Sequence, residues 1–276
     1  MARELTKAQI AERSIIKKYR KELWNPFIAG VQRYSLIDEG DRIAVCISGG
    51  KDSMLMAKLM GLLQRTSKVS FELVYLVMNP GYSPKNLKRI EDNASILEVP
   101  VTVFETDIFE VADSVDSSPC YLCARMRRGH LYSKAKELGC NKIALGHHMN
   151  DVIETTLMGM MYSSQLQAML PKLKSTNFEG MELIRPMFCV REESIIAWAR
   201  YNELEFLNCA CKFTADAEKS HFESMSKRKE TKELIATLKK TNPMIEHNLF
   251  KSIHNVHIDT FVEYKSKGER HTFLEE

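Results

Sequence analysis

The sequence predicts a doubly wound α/β fold, in which helices cover both faces of a mostly parallel sheet. Two observations lead to this prediction. Short apolar runs of strand length alternate along the chain with longer amphipathic helical patterns, an arrangement typical of parallel sheets. The first run, Ile43 to Ile47, is apolar throughout and ends at the glycine turn Ser48-Gly49-Gly50, as expected of a buried parallel strand.

The predicted elements follow in chain order. An amphipathic helical segment at 5–35 opens the chain and is interrupted near Asn25-Pro26. Strands are predicted at 43–47, 71–78, 101–105, 142–146 and 182–185. Helices are predicted between them at 52–65, 85–98, 120–138 and 150–161, followed by a polar helix at 218–241 and a short apolar-patterned tail after Pro243. The chain is therefore divided into an N-terminal helical extension (1–40), a central α/β domain (41–212) and a C-terminal helical extension (213–276).

The turn after the first strand, Ser48-Gly49-Gly50-Lys51-Asp52-Ser53, predicts a phosphate site. Glycines let the backbone approach an anion, and the helix that follows presents free N–H groups and a favourable dipole. Asp52 and Ser53 are expected to cap this helix. The spacing differs from the Walker pattern G-x-x-x-x-G-K-S/T. A simple tight turn is the alternative, but strand, glycines and helix start together favour nucleotide binding.

Composition and charge narrow the class of protein. No apolar run approaches the roughly 20 residues that span a bilayer, and the first residues lack the apolar segment of a signal peptide. We expect a cytoplasmic protein without membrane association, whose seven cysteines are thiols or metal ligands rather than disulfides. The net charge is only +3, but basic residues outnumber acidic ones in segments 1–40, 120–136 and 212–240. These segments form either a phosphate-binding surface or ordinary solvated helix faces.

Polar side chains also follow the fourth predicted strand, in Gly146-His147-His148-Met149-Asn150-Asp151. Asp151 and Glu154 lie three residues apart at a helix start and share a face. Carboxylates beside a triphosphate site usually hold Mg²⁺. The two histidines can contact phosphate or act as acid–base groups, whereas adjacent side chains at a strand end diverge, which disfavours a zinc pair. A capped helix without ligand is the alternative.

The loops after residues 47, 78, 105 and 146 are expected to share one site, because ligands bind at the carboxyl ends of parallel strands.

The cysteines form two close pairs, Cys120-Tyr-Leu-Cys123 and Cys209-Ala-Cys211. Cys46, Cys140 and Cys189 lie in strand or helix contexts and are expected to be buried. The pairs are compatible with a redox-active dithiol, a zinc site or an iron–sulfur site. The basic run after Cys123 would stabilise thiolates or an anionic cluster. The count of four thiols fits zinc and a cluster equally well.

Four motifs in this order resemble the tRNA 2-thiocytidine synthetase family, a branch of the PP-loop tRNA thiolation enzymes. They are Ser-Gly-Gly-Lys-Asp-Ser at 48–53, Cys-x-x-Cys-x-Arg-x-Arg-Arg-Gly at 120–129, Gly-His-His-x-x-Asp at 146–151 and Arg-Pro at 185–186. The resemblance covers about residues 15–215. It implies the PP-loop, adenine nucleotide alpha hydrolase-like version of the doubly wound fold, and an enzyme that splits ATP into AMP and pyrophosphate.

The resemblance also implies a reaction. The C2 oxygen of a tRNA pyrimidine, expected to be cytidine 32 of the anticodon loop, is adenylated and then replaced by sulfur. A 4Fe–4S cluster on three cysteines, ATP and Mg²⁺ are the implied cofactors, and the sulfur comes from a cysteine desulfurase persulfide or from sulfide. The partners are thus tRNA and a sulfur donor, and a homodimer remains open. A single-stranded anticodon loop suits such chemistry because its bases can be splayed into a pocket.

Candidate site residues follow from the motifs and from this chemistry. Cys120, Cys123 and one of Cys209 and Cys211 are the implied cluster ligands. Lys51, Asp52 and Asp151 are the candidate catalytic residues, because Lys51 can neutralise departing pyrophosphate and the carboxylates can hold Mg²⁺. The candidate ATP contacts are Ser48, Gly49, Gly50, Lys51, Asp52, Ser53, Met78, Gly146 and His147. The candidate RNA contacts are Arg127, Arg128 and Arg185.

The chain departs from the family pattern in places that leave other functions open. It has Cys-x-Cys at 209–211 where Cys-x-x-Cys is common, Asn150-Asp151 where Asp-Asp is usual, and no clear match after residue 211. A thiolation enzyme acting on another base or a small molecule would keep every motif, and so would one with structural zinc. A nitrogen-transferring PP-loop ligase leaves the cysteine pairs unused. A non-catalytic metal-bound RNA-binding protein or redox sensor leaves the ATP loop unexplained.

Overall fold

A six-stranded sheet lies at the centre of the computed structural model, which describes residues 4–109, 119–207 and 221–275, with backbone only at 119–124, 221–226 and 275. The strands are β1 (Arg42–Ile47), β2 (Glu72–Asn79), β3 (Val101–Glu105), β4 (Lys142–Ala144), β5 (Lys172–Lys174) and β6 (Glu182–Ile184). Their order is β3-β2-β1-β4-β6-β5. Every neighbouring pair is parallel except β5–β6, which confirms the predicted mostly parallel sheet.

Helices connect the strands and extend the chain at both ends. They are α1 (Lys7–Ile16), α2 (Asn25–Arg33), α3 (Lys51–Thr66), α4 (Pro84–Ile96), α5 (Pro119–Glu137), α6 (Met149–Ser163), α7 (Glu192–Tyr201), α8 (His221–Thr241) and α9 (Ile245–Ser252). A C-terminal hairpin pairs β7 (Glu263–Ser266) with β8 (Glu269–Thr272). None of the described helices is long and apolar enough to cross a bilayer.

The two faces of β1 show why this sequence forms a doubly wound sheet. Ile43, Val45 and Ile47 enter the larger core beneath α3, whereas Ala44 and Cys46 enter the core beneath α5. The predicted apolar face of α3 is confirmed, because Leu55 and Leu59 are fully buried against the sheet. Each such leucine contributes roughly 1.5–3 kcal/mol through the hydrophobic effect. The strand is therefore apolar on both faces because both are covered.

Most predicted elements match the structure to within two residues at each end. The predicted break near Pro26 is wrong. The chain leaves α1 at Lys17, forms a π-helical turn at Arg20–Trp24, and continues directly into α2. Pro26 lies at the start of α2, where the hydrogen-bonding pattern changes from π-helical to α-helical. The edge strand β5, helix α7, helix α9 and the C-terminal hairpin were not predicted.

The strand order places a candidate site at one edge of the sheet. From β1 the chain proceeds outward to β2 and β3 on one side and then returns to β4 and β6 on the other. The connections after β1 and β4 therefore lead to opposite sides of the sheet, and the crevice at the carboxyl edge lies between these two strands. This is the position of the Ser48–Ser53 turn and of the Gly146–Asp151 loop.

Candidate active site

The turn between β1 and α3 forms an open anion site. Gly49 has φ +83°, and a Cβ at this position would lie 2.5 Å from Ile90 Cγ1, so glycine is required there. Ser53 Oγ accepts a hydrogen bond from the Ser48 N–H at 3.1 Å and donates to the Gly50 carbonyl at 3.0 Å. The prediction that Asp52 and Ser53 cap α3 is wrong, because Gly50 is the N-cap residue and no side chain caps it. The first N–H groups of α3 thus remain available to a phosphate.

Lys51 is held over this turn by two carboxylates. Its Nζ donates to Asp52 Oδ2 at 3.2 Å and to Glu192 Oε1 at 3.1 Å. Burial opposes the charged form of Lys51, but Asp52 and Glu192 outweigh it and raise the pKa of the ammonium group above its ordinary value. Lys51 therefore remains a fixed positive charge at any physiological pH.

A close backbone contact brings the second motif to the first. A Cβ at Gly146 would lie 3.1 Å from the Ser53 amide nitrogen and 3.2 Å from Ser53 Cα. These are backbone atoms inside a helix, so they cannot move aside without disturbing α3. Glycine at 146 allows the loop after β4 to lie directly against the N-terminus of α3. The predicted proximity of these two loops is thus present in the structure.

The two histidines lie in different surroundings, as predicted. His148 caps α6. Its ring Nδ1 accepts from the backbone N–H of Asp151 at 3.3 Å, and the backbone N–H of His148 donates to Asp151 Oδ2 at 3.0 Å. The other ring nitrogen, Nε2, faces Asp52 Oδ1 at 3.7 Å. His147 has a buried Nδ1 with no hydrogen-bond partner among the described residues. Burial, with the charge of Arg185, lowers the pKa of His147 to about 4.

The predicted carboxylates differ in their availability to a metal ion. Asp52 Oδ1 is buried and has no hydrogen-bond partner within the described part of the chain. Both oxygens of Asp151 are engaged, one by the α6 cap and the other by Arg228 Nη1 at 3.3 Å. No three His, Cys, Asp or Glu side chains of the described residues converge as a metal site. A Mg²⁺ ion here would take Asp52 together with oxygens of a bound phosphate, which is the usual arrangement for this ion.

Helix α8 supplies cations to the carboxylates of the site. Arg228 faces both Asp151 and Glu154, at 3.3 and 3.9 Å, which confirms that these two acids share one face of α6. Lys232 lies 3.6 Å from Glu154 Oε1 and donates to Glu192 Oε2 at 3.1 Å. Part of the basic segment at 212–240 therefore neutralises protein carboxylates rather than forming a free phosphate surface.

Two glutamates in this network have opposite pKa shifts. Glu154 is 2% exposed, and burial raises its pKa to about 7 in spite of Lys232 and Arg228. Burial also acts on Glu192, but Lys51, His148 and Lys232 outweigh it and lower its pKa to about 2. Sequence reasoning missed Glu192 altogether. Its position in the first turn of a helix shortly after Arg185-Pro186 was the available signal.

The predicted arginines separate into different places. Arg185 is 7% exposed, donates to the Leu170 carbonyl, and has a buried Nε without a partner among the described residues. Arg127 Nη2 donates to Tyr82 Oη at 2.8 Å, in the loop after β2. Arg128 is exposed on another face of α5. Met78, a predicted ATP contact, is the next-to-last residue of β2, and its side chain lies in the apolar core, 4% exposed.

The cysteine pairs can be placed only through their neighbours. The Cys120 and Cys123 side chains and all of Cys209 and Cys211 lie outside the described residues. The backbone of α5 begins at Pro119, and because this helix returns the chain from β3 to β4, its first turn lies at the carboxyl edge of the sheet. The N–H of Leu207, the last described residue before the second pair, donates to the Gly49 carbonyl at 3.4 Å. The first turn of α5 and Leu207 therefore both lie at the edge that carries the candidate site.

The fold and the turn at 48–53 define an α/β protein of the PP-loop class. Residues 14–212 match the PP-loop domain family. A solved structure of the U34-tRNA thiolase NcsA from Methanococcus maripaludis, which contains a 4Fe–4S cluster, superposes with a TM-score of 0.66 at 18% identity, over 88% of this chain and 79% of that one. At this identity the likeness establishes the fold.

Curated relatives identify the family within that class. The chain is 36% identical to a tRNA-cytidine(32) 2-sulfurtransferase of Citrifermentans bemidjiense over 82% of its own length and 87% of the relative. It is 34% identical to the enzyme of the same name from Vibrio campbellii, over 87% of this chain and 77% of the relative. The protein belongs to the tRNA-cytidine(32) 2-sulfurtransferase family, which confirms the resemblance found from the motifs.

The raised pKa of Glu154 predicts a pH-dependent stability. An unfolded glutamate titrates near pH 4.3, so between about pH 4.3 and 7 the folded protein binds the extra proton and loses stability as pH rises. Without added nucleotide, Glu154→Gln should gain stability relative to wild type across this window, with a slope of at most about 1.4 kcal/mol per pH unit. Urea unfolding of both proteins at pH 5, 6, 7 and 8 measures this difference in stability.

Glu193→Gln is the matched control for this measurement, because Glu193 lies next to Glu192 on α7 but does not act on Glu154. Lys239 and Arg191 hold the pKa of Glu193 below its ordinary value, so its carboxylate is ionised throughout pH 5–8 and its substitution should shift stability by an amount independent of pH. If the difference in unfolding free energy between Glu154→Gln and wild type stays constant across the same range, Glu154 is ionised throughout that range in the folded protein.

Proposed function

We propose that this protein adenylates the C2 oxygen of cytidine 32 in tRNA at the expense of ATP and replaces that oxygen with sulfur. Membership of the tRNA-cytidine(32) 2-sulfurtransferase family supports the substrate. The observation that carries the chemistry is the N-terminus of α3, which has no side-chain cap. It carries the Lys51 ammonium group, held by Glu192, and an Asp52 oxygen that accepts no hydrogen bond from the described residues. A protein that merely bound RNA would not need this arrangement.

The ATP phosphates bind at the turn between β1 and α3. The free N–H groups of the first turn of α3 point toward an anion there, and the helix dipole adds a favourable field. Lys51 supplies the fixed positive charge, and Asp52 Oδ1 is available to a Mg²⁺ ion carried by the phosphates. Gly146 and His147 bound the same crevice from the side of β4.

Adenylation breaks the bond between the α- and β-phosphates of ATP. The C2 oxygen of the base attacks the α-phosphorus, a new P–O bond forms, and pyrophosphate leaves with the bonding electron pair. Negative charge thus grows on the departing oxygen, and Lys51 and the α3 amides stabilise it without having to reorganise. Glu192 is a positioning residue in this step, because it holds Lys51 in place from α7.

Sulfur then replaces the adenylated oxygen, with AMP as the leaving group. Cys120, Cys123 and one of Cys209 and Cys211 are suited by type and number to hold a 4Fe–4S cluster on three thiolates. Such a cluster would supply an iron without a protein ligand, at which the incoming sulfur could be held. With sulfide as the donor, sulfur attacks C2, a C–S bond forms, and AMP leaves with the electron pair of the broken C–O bond. With a cysteine desulfurase persulfide as the donor, a thiol reductant must also break the S–S bond and is itself oxidised to a disulfide. A tRNA substrate is consistent with a reaction in the cytoplasm.

The turn between β1 and α3, residues 48–53, should be essential for the reaction and dispensable for folding. In a mixture of protein, ATP, Mg²⁺ and unmodified tRNA, Asp52→Asn and Lys51→Ala should lower the rate of pyrophosphate release by about 10²-fold or more, because each removes a charge needed in the transition state. The matched control is Asp92→Asn, which changes an exposed carboxylate paired with Lys88 on α4. Wild-type rates in either turn variant would contradict the proposal.

The four clustered cysteines should not be equivalent. After anaerobic reconstitution, Cys120→Ser and Cys123→Ser should each lose iron and visible absorbance. Of Cys209→Ser and Cys211→Ser, one should lose iron and the other retain it, because three thiolates suffice. Cys189→Ser, which changes a half-buried cysteine beside Tyr34, is the control that retains iron.

Two results would contradict this assignment of the cysteines. If all four clustered cysteines are required equally, the metal has four protein ligands and resembles a closed structural site, which leaves no open iron. If the protein binds zinc and stays colourless after reconstitution, the cluster itself is excluded.

A further inference from the structure

A basic groove runs along α5, on the face away from Tyr82. It encloses about 540 Å³ between α5 and the segment that joins β5 to β6. Arg125 and Arg128 project from the helix side, and Lys174 from the end of β5. Among the described residues that line this groove there are three cations and no carboxylate.

The three cations of the groove form no ion pair with the residues that the structure describes. Within the described part of the chain, no carboxylate lies within 4.0 Å of Arg125, Arg128 or Lys174, in contrast to Lys134 of the same helix, which pairs with Glu137 at 2.7 Å. Three positive charges around one concave surface repel each other. This arrangement is stabilised when an anion with several charges binds among them.

Aromatic and polar groups complete the floor of the groove. Tyr132 and Phe178 stack with ring centroids 5.1 Å apart and planes inclined by 12°. The loop that carries Phe178 is fixed by its N–H, which donates to Ser175 Oγ at 3.1 Å. Tyr132 is buried and Phe178 half-buried, so this pair forms a rigid wall, and the cations with the hydroxyl groups of Ser175 and Thr176 are the side chains suited to the sugar–phosphate backbone of RNA.

The groove is connected to the candidate active site by a buried arginine. The pKa of Arg185 is lowered to about 10, first by burial and then by the charge of Arg128 at the groove. Arg185 in turn contributes to the lowered pKa of His147 at the crevice. Arg185 directly follows β6, whose Leu183 lines the groove, and β6 pairs with β4, which leads into the Gly146–Asp151 loop.

We infer that this groove binds the phosphodiester backbone of the tRNA substrate beside the base that reacts, through Arg125, Arg128 and Lys174. The inference rests on the proposed function and adds to it a location for the RNA. It also changes the set of RNA contacts expected from the sequence. Arg125 and Lys174 enter the set, whereas Arg127 leaves it because its guanidinium donates to Tyr82 on another face of α5.

Salt-dependent binding of unmodified tRNA, followed by fluorescence anisotropy, tests the inference. Each lost phosphate contact should lower the magnitude of the slope of log K against log salt by about 0.7–0.9, and weaken binding about five-fold near 0.15 M salt. Arg125→Ala/Arg128→Ala should therefore lose about two contacts and Lys174→Ala about one. Lys136→Ala, an exposed lysine of the same helix outside the groove, is the charge-matched control and should keep the wild-type slope.

A second variant blocks the groove without removing a side chain. A Cβ at Gly129 meets no atom within 4 Å, so Gly129→Glu fits the helix and places a negative charge in the groove. It should weaken tRNA binding more than Lys174→Ala while its affinity for ATP stays at the wild-type value, which also shows that the protein is folded.

The outcomes separate the groove from the proposed function. If wild type binds and thiolates tRNA while all the groove variants bind it with wild-type affinity and slope, the groove is not the RNA site, and the proposed function stands. If wild type binds no tRNA at any salt concentration, the groove inference and the proposed function both fall.

Discussion

The candidate site depends on one close contact, between the backbone of Gly146 and the first turn of α3. Any side chain at 146 would lie within about 3 Å of the Ser53 backbone, so the loop after β4 reaches the phosphate turn only because this residue is glycine. The contact sets the position of His148 beside Asp52, and of the Asp151 cap at the start of α6. The two halves of the sheet thus converge on a single crevice at the point where the strand order reverses.

A network of alternating charges extends from that contact to the C-terminal helix. Glu192 connects Lys51 of the phosphate turn with Lys232 of α8, and Arg228 of α8 contacts Asp151 of α6. Helix α8 therefore compensates carboxylates that would otherwise repel the phosphates of ATP. This network explains the two glutamate pKa values. The pKa of Glu192, which is surrounded by cations, is lowered to about 2, whereas that of Glu154, which is more deeply buried, is raised to about 7. In this way the C-terminal extension contributes to the electrostatics of the nucleotide site.

The sequence predicted what depends on local pattern and missed what depends on distant contacts. The strands and α3 were predicted because the spacing of apolar residues over a short stretch of sequence indicates which faces are buried. The phosphate turn was predicted because its glycines and the start of the helix are adjacent in the sequence. Glu192 was missed because its partner Lys51 is 141 residues away, and Arg228 because Asp151 is 77 residues away. The edge strand β5 has only three residues, two of them lysines, and carries no apolar signal. The cap of α6 was not assigned to His148 because histidine is not among the usual N-cap residues.

The central claim is that the crevice at Ser48–Ser53 serves the thiolation of cytidine 32 in tRNA. It is tested most directly by mass spectrometry of nucleosides from tRNA of cells that lack the protein, compared with cells in which the wild-type gene has been restored. The account predicts that 2-thiocytidine disappears in the first and returns in the second, while other thiolated nucleosides keep their levels. Unchanged 2-thiocytidine, or the loss of a different modified nucleoside in its place, would contradict it.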